Sequence, residues 1–450
     1  MSKLFLSRKR RRTVQRSFGP ATLAERTSVN TPGGHVATPD LSAVRSTAEA
    51  VARRSYGKLV AFLAAWTRDV AVAEDALSES FASALKNWPL RGVPSNPEAW
   101  LLTAARRKLI DAIRSRHRGE SAAGELKVLA QGMDAASNDR EIPDRRLALM
   151  FVCAHPAVDP AIRAPLMMQA VLGLDAATIA SSFLISPGAM SQRLVRAKDK
   201  IRQAGVPFRI PGLEELRERV DAVLDAIYAA FSEGWTDAEG TDAARRDLAE
   251  EAIFLGRVVT DLLPEEPEAL GLLALMLHAE ARRAARRDQS GEFVPLAEQN
   301  LALWNSEMIA EAERLLRRAS GLGFIGRYQL EAALQSAHVD RRQTGRANWP
   351  DIVKIYDALA AASASPVVAI NRALAVAELN GPVAGLSALQ NIAEDPRLRE
   401  YQPYWAARAE LLARTGAREE ARGAYDIAIG LERDPAVRRF LQRRQASLAS

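Results

Sequence analysis

Apolar residues recur at helical spacing over three long stretches, 41–117, 141–205 and 212–450, so the pattern predicts an all-α protein. It is sharpest at 174–202, which reads LDAATIASSFLISPGAMSQRLVRAKDKIR. One helix is expected over 175–183, capped by Asp175, and a second begins at Ser186-Pro187, with Ser at the N-cap and Pro at the first helical position. On the second helix Met190, Leu194, Ala197 and Ile201 form one apolar face, while Gln192, Arg193, Arg196 and Lys200 fall elsewhere. Two helices one turn apart, the second with Gln and Arg outward, form a helix-turn-helix pattern. The DNA major groove admits such a helix, and Gln and Arg can read base edges bidentately. Ordinary helical hairpins share the pattern.

The first stretch predicts a helix over 46–66 and another over 71–88, with Leu77, Phe81, Leu85 and Trp88 on one face and Asp75, Ser78 and Glu79 outward. Residues 89–97 (PLRGVPSNP) hold three prolines and a glycine and predict a loop. The helix expected over 97–116 packs through Trp100, Leu101, Leu109 and Ile113. It brings Arg106, Arg107, Lys108, Arg114 and Arg116, with Arg118 beyond, against Glu98 and Asp111 alone. Residues 119–139, rich in Gly, Ala and Ser, read as a linker. Beyond Pro211-Gly212, breaks fall at Pro264, Pro267, 288–295, 321–326, Pro366, Gly381-Pro382 and Pro403. Near the end, Leu411, Gly416, Ala421, Tyr425 and Ala428 resemble a tetratricopeptide repeat, a unit that stacks into binding surfaces for peptides or proteins.

Charge sharpens this organisation. Residues 1–210 carry 32 Lys/Arg against 18 Asp/Glu, a net +14; residues 211–450 carry 29 against 37, a net −8. The basic half is where a polyanion would bind, because phosphate neutralisation releases counterions. The run Arg8-Lys9-Arg10-Arg11-Arg12 reads as a disordered basic tail, which either touches nucleic acid or is simply solvated. No run of about 18 apolar residues suggests a membrane span, and the N-terminus lacks a signal-peptide core, so a cytoplasmic protein is expected. Cys153 is the only cysteine, which excludes an intrachain disulfide and a cysteine-built zinc site. No Gly-rich phosphate loop, GxSxG elbow or HExxH helix is present. Glu265, Glu266 and Glu268 beside Pro264 and Pro267 read as helix-start caps and not as a catalytic pair. The chain is expected not to be an enzyme and to need neither metal nor cofactor.

With the basic helix, the proline loop and the helix-turn-helix in this order, the chain resembles an extracytoplasmic-function sigma factor, of the subgroup with a tetratricopeptide-like helical extension. AEDALSESFASALKNW and NPEAWLLTAARRKLIDAIRSR carry the first part of the likeness. RLALMFVCAHPAVDP and the helix-turn-helix carry the second. FLGRVVTDLLPEEPEALGLLALMLHAEARRAAR, SPVVAINRALAVAELNGPVAGL and the final repeat carry the third. The resemblance implies a basic tail over 1–40, a region-2 domain over 41–118, a linker over 119–140, a region-4 helix-turn-helix over 141–208 and a regulatory array over 212–450. It implies RNA polymerase core and promoter DNA as partners, a protein or peptide partner on the array, and no membrane.

The resemblance also assigns residues. Asp75, Leu77, Ser78, Glu79 and Phe81 would bind the polymerase, with Asp75 and Glu79 giving charge complementarity. Arg91, Ser95, Asn96, Trp100, Arg106, Arg107, Lys108 and Arg114 would meet the −10 element, the basic ones on phosphates and Trp100 either in the core or in a base pocket. Ser186, Gly188, Ser191, Gln192, Arg193, Arg196 and Lys200 would read the −35 duplex. The chain departs from the family at Ser232 and Trp235, at Cys153-Ala154-His155 and at Gln299-Asn300-Leu301. Two other readings fit part of the chain. One is a dimeric helix-turn-helix regulator with a protein-binding repeat domain, which leaves the helices of 71–118 without a purpose. The other is an interaction scaffold whose basic helices are solvated faces.

Overall fold

The computed structural model describes residues 41–116, 144–183, 185–235, 243–363 and 365–448. The basic run at 8–12, Arg118, the expected linker and Thr236 lie outside them, as do the side chains of Ile113, Arg114 and Arg116. All named elements among the described residues are helical. They fall into two compact units, divided at Arg145.

The first unit is three helices, α1 (Leu41–Thr67), α2 (Val70–Arg91) and α3 (Pro97–Arg116). Asp69 caps α2, its carboxylate accepting from the Ala71 and Val72 N–H groups at 2.9 and 3.2 Å. The core joins Leu59, Leu63 and Ala64 of α1 to Ala73, Leu77, Ala84 and Trp88 of α2 and Leu101, Ala105 and Leu109 of α3. Two expectations fail here. Leu85 is 49% exposed, because the buried stripe runs Leu77, Ser80, Ala84, Trp88 and passes one position to its side. Pro89 does not open the loop but lies inside α2, which runs on to Arg91 and ends at Gly92 with φ of 81°. A proline is tolerated there because it falls in the last turn, and the carbonyl it leaves unpaired belongs to the exposed Leu85.

The second unit begins with α4 (Arg146–Cys153), α5 (Pro160–Ala170), α6 (Ala176–Ser182) and α7 (Pro187–Gln203). It continues directly into α8 (Leu213–Trp235), α9 (Ala243–Leu262) and α10 (Pro267–Glu280). Helix α10 is the axis of the unit: every residue from Pro267 to Ala279 is buried. Helices α11 (Ser306–Ser320) and α12 (Arg327–Thr344) pack against it.

Two glycines permit that contact. An added Cβ on Gly271 would lie 2.6 Å from the Gln329 backbone nitrogen, and one on Gly326 would lie 2.2 Å from the Glu268 carboxyl carbon. Glu268 reaches from α10 to the start of α12 and accepts from the Tyr328 and Gln329 N–H groups at 2.8 and 3.1 Å. It therefore caps a helix other than its own, satisfying donors that would otherwise be buried and unpaired.

From α12 the chain proceeds through α13 (Trp349–Ala362), α14 (Pro366–Asn380), α15 (Pro382–Gln390), α16 (Gln402–Thr415), α17 (Arg418–Leu431) and α18 (Pro435–Ala446), each packed on the next. The turn between α16 and α17 uses Gly416 at φ of 84°, where L side chains are strained. Leu411, Ala421, Tyr425 and Ala428 are all buried around it. No helix among the described residues is long and apolar enough to cross a membrane.

Candidate nucleic-acid interface

Helix α7 is built as the alternation of residue types requires. Ser186 caps it, its hydroxyl accepting from the Ala189 N–H at 3.3 Å, and Pro187 opens it. Asp175 caps α6, accepting from the Ala177 and Thr178 N–H groups at 2.8 and 3.0 Å, and these bonds together with the Thr178 hydroxyl hold its carboxyl below the usual carboxylate range. Met190, Leu194, Ala197 and Ile201 are buried. Removing four such side chains from water supplies about 1.5–3 kcal/mol for each of the larger ones.

Ser186, Gly188, Ser191, Gln192, Arg193, Arg196 and Lys200 are all exposed. Sequence reasoning overlooked Val195, which is 58% exposed beside Gln192 and Arg196. Its departure from the Met190–Leu194–Ala197–Ile201 stripe was the available signal, and an outward apolar group suits the thymine methyl in the major groove.

This domain rests on the following helices through α4 and α5. Helix α5 packs along α8, and α4 packs against α8 and α9. Arg146, at the start of α4, is buried, forms an ion pair with Glu251 and lies 4.9 Å over the Phe254 ring of α9. Arg219 of α8 is buried too; it donates to the Phe151 carbonyl at 3.4 Å and pairs with Glu215 at 2.7 Å. Burial lowers the Arg219 pKa, with the Glu215 charge opposing that shift. Sequence reasoning singled out none of Glu251, Phe254 and Arg219. An i, i+3 pairing of Glu251 with Phe254 on one face of a helix gives no hint of its target. Cys153 is buried within α4, and the His155 ring nitrogen Nδ1 accepts from the Ala157 N–H at 3.1 Å, so both belong to packing and a turn.

In the three-helix unit, Arg107 and Lys108 are exposed on α3 and Arg106 is half-buried. Lys108 pairs with Glu79 of α2 at 3.1 Å. Both partners are largely exposed, and such pairs contribute about 0–1 kcal/mol, so either charge is cheaply released to a partner. Asp75, Ser78 and Glu79 are exposed and Phe81 is half-buried.

Leu77 is a correction. It is fully buried among α1, α2 and α3, so it holds the helix in place and cannot itself meet a partner. Asn96 is engaged as well: its side-chain oxygen accepts from the Ala99 N–H at 3.0 Å at the start of α3, leaving only its amide to donate outward. Arg91, the last residue of α2, and Ser95, on the loop, are exposed. Trp100 is half-buried and meets Trp88 edge-on with centroids 5.6 Å apart, so one edge packs in the core while the rest stays open. Leu90, 83% exposed in the last turn of α2, was also overlooked.

Comparison with known proteins finds a match in the three-helix unit. Residues 51–119 match the model for sigma-70 region 2. The three-helix unit thus carries a sigma-70 region 2. A probable RNA polymerase sigma factor of Xanthomonas campestris, RfaY, is 28% identical over 225 residues, covering 47% of this chain and 52% of that protein.

Other matches extend beyond that region. An uncharacterized protein of Rhizobium meliloti is 36% identical over 392 residues, 85% of this chain and 91% of that protein, so the two belong to one family. Residues 219–320, from α8 through α11, match a family of unknown function, DUF6596. No significant match to a solved structure exists.

Proposed function

We propose that this protein is a sigma factor of the extracytoplasmic-function group, directing RNA polymerase in the cytoplasm to specific promoters, with helices α8–α18 as its own regulatory, tetratricopeptide-like extension. The observation that carries the reading is the outward face of α7 in a chain that also holds a sigma-70 region 2. Gln192, Val195 and Arg196 stand exposed on a helix capped by Ser186 whose other face is buried. In this reading α7 enters the major groove of the −35 element, Gln192, Arg193 and Arg196 contact base edges, and Ser186, Gly188, Ser191 and Lys200 meet the backbone. Arg107 and Lys108, with Arg106 and Arg114, neutralise phosphates at the −10 element, beside Arg91, Ser95, Asn96 and Trp100. Asp75, Ser78, Glu79 and Phe81 dock on the polymerase core.

The extension regulates by contact. It grips α4, with Glu251 and Phe254 on Arg146 and Arg219 on the Phe151 carbonyl, while Gln192, Arg193 and Arg196 of α7 stay exposed. Its effect on −35 binding therefore passes through the seating of the helix-turn-helix and not through a cover over its reading face.

Fluorescence anisotropy with purified core polymerase and, separately, with promoter duplex tests these assignments. The sigma reading expects tight binding to core, weakened by Asp75→Arg with Glu79→Arg. Tight, specific duplex binding without any affinity for core would favour the helix-turn-helix regulator instead. Glu251→Lys is expected to lower −35 affinity without altering core binding; equal loss of both would count against control through α4.

A further inference from the structure

The segment after α10 forms a small preshaped tooth. Asp288 organises it: its carboxylate accepts from the Ser290 and Glu292 N–H groups, both at 2.9 Å, and from the Ser290 hydroxyl at 2.6 Å. The Asp288 N–H donates to the Glu292 carbonyl at 3.0 Å, and Gly291 turns the chain at φ of 79°. Arg287 and Phe293 face each other across this turn as an antiparallel bridge, and Arg287 donates to the Gly291 carbonyl at 3.1 Å. These hydrogen bonds fix the tooth without help from the rest of the array.

Its tip meets the last helix of the chain. Glu292 accepts from Arg439, and from Arg443 at 2.8 Å. Arg287 pairs at 2.5 Å with Asp434, the residue that caps α18. Phe293 meets Phe440 edge-on with centroids 5.5 Å apart. More than 140 residues separate the two sides of each ion pair, so the end of the array is brought back to its beginning.

We propose that the 287–293 tooth is a reversible clasp that closes the helical array by gripping α18. Three ion pairs and one aromatic pair make a small, charge-dominated contact, unlike the apolar seams between neighbouring helices. Arg439 and Arg443 are exposed, so salt screens their attraction to the half-buried Glu292. The clasp is therefore closed at low ionic strength and opens when these charges are screened or reversed, letting the end of the array swing from the tooth while α18 stays seated on α16 and α17 through Ala409, Ala428 and Leu441. This does not depend on the sigma assignment and is tested without polymerase.

The test places spin labels at exposed Gln289→Cys and Gln442→Cys in the full chain, whose native Cys153 is buried, and measures their separation by double electron–electron resonance. At low salt one short, narrow distance is expected. Glu292→Arg should lower the ratio of short to long distances at least tenfold with helicity unchanged, and about 1 M salt, where the Debye length is about 3 Å, should shift the wild type the same way. Adding Arg439→Glu and Arg443→Glu to Glu292→Arg should restore the short distance. If Glu292→Arg does not fold, Phe440→Ala and the salt titration carry the same expectation. A short distance that survives charge reversal and high salt alike, or a swap that fails to restore it in a folded chain, would overturn the proposal.

Discussion

Helix α7 is 17 residues long and buries four of them, while helix α10 is 14 residues long and buries all but the last. The first keeps a single apolar stripe and turns Gln192, Val195 and Arg196 to solvent; the second is enclosed on every side by α9, α11 and α12. A helix that must read another molecule can spend only a narrow face on its own fold. A helix that organises a domain leaves nothing to read with. Changes on α7 are therefore expected to alter binding at constant stability, and changes on α10 to alter stability first.

The largest expected effect lies on α10. Glu268→Ala strips two buried N–H groups of their acceptor, and each unsatisfied donor costs about 1–3 kcal/mol, so the denaturant midpoint should fall well beyond that of any exposed α7 variant. Gly326→Val sharpens the point, since the added side chain meets the Glu268 carboxylate; a stable Gly326→Val protein would break the account of this packing.

Next comes an effect of pH. Burial, reinforced by Arg341 and Arg282, holds the His338 pKa at about 3 against an ordinary 6.5. Above 6.5 both folded and unfolded chains leave it neutral. As pH falls from 6.5 towards 3, the unfolded chain takes up a proton that the folded one refuses, so stability falls by about 1.4 kcal/mol per unit. Urea melts of wild type and His338→Leu between pH 7.5 and 5 should converge or cross as pH drops; parallel curves would contradict this placement.

Smaller again, Arg196→Ala should cost about 1–3 kcal/mol of −35 discrimination while moving the unfolding free energy by less than about 0.5 kcal/mol. Smallest, Lys108→Ala should change stability by less than about 1 kcal/mol and reduce the salt slope of promoter binding by about one. A large stability loss in either variant would collapse the distinction between reading and organising helices.

The helix-turn-helix was legible in the sequence because its signals are local: Asp175 and Ser186 cap within three residues, Pro187 follows its cap, and the stripe from Met190 to Ile201 repeats within one helix. Legibility failed where the decision lay elsewhere in the chain. Leu77 and Leu85 carry the same side chain on the same helix, and only the approach of α1 and α3 buries one and exposes the other. Glu266 does act as the N-cap of α10, as its place before Pro267 suggests, but the target of Glu268 lies 60 residues away and follows from the fold alone. Pro89 shows the converse: a strong local breaker was overridden because it fell in a last turn open to solvent.

The central claim is that one chain joins a polymerase-binding unit to a promoter-reading helix. Run-off transcription with purified core polymerase on a genomic promoter library, comparing the full chain with Gln192→Ala/Arg196→Ala, tests it most directly. The account predicts discrete transcripts from the full chain and, from the variant, loss of those initiating at −35-dependent promoters despite unchanged core binding. An identical transcript set from both proteins, or none from the full chain, would contradict it.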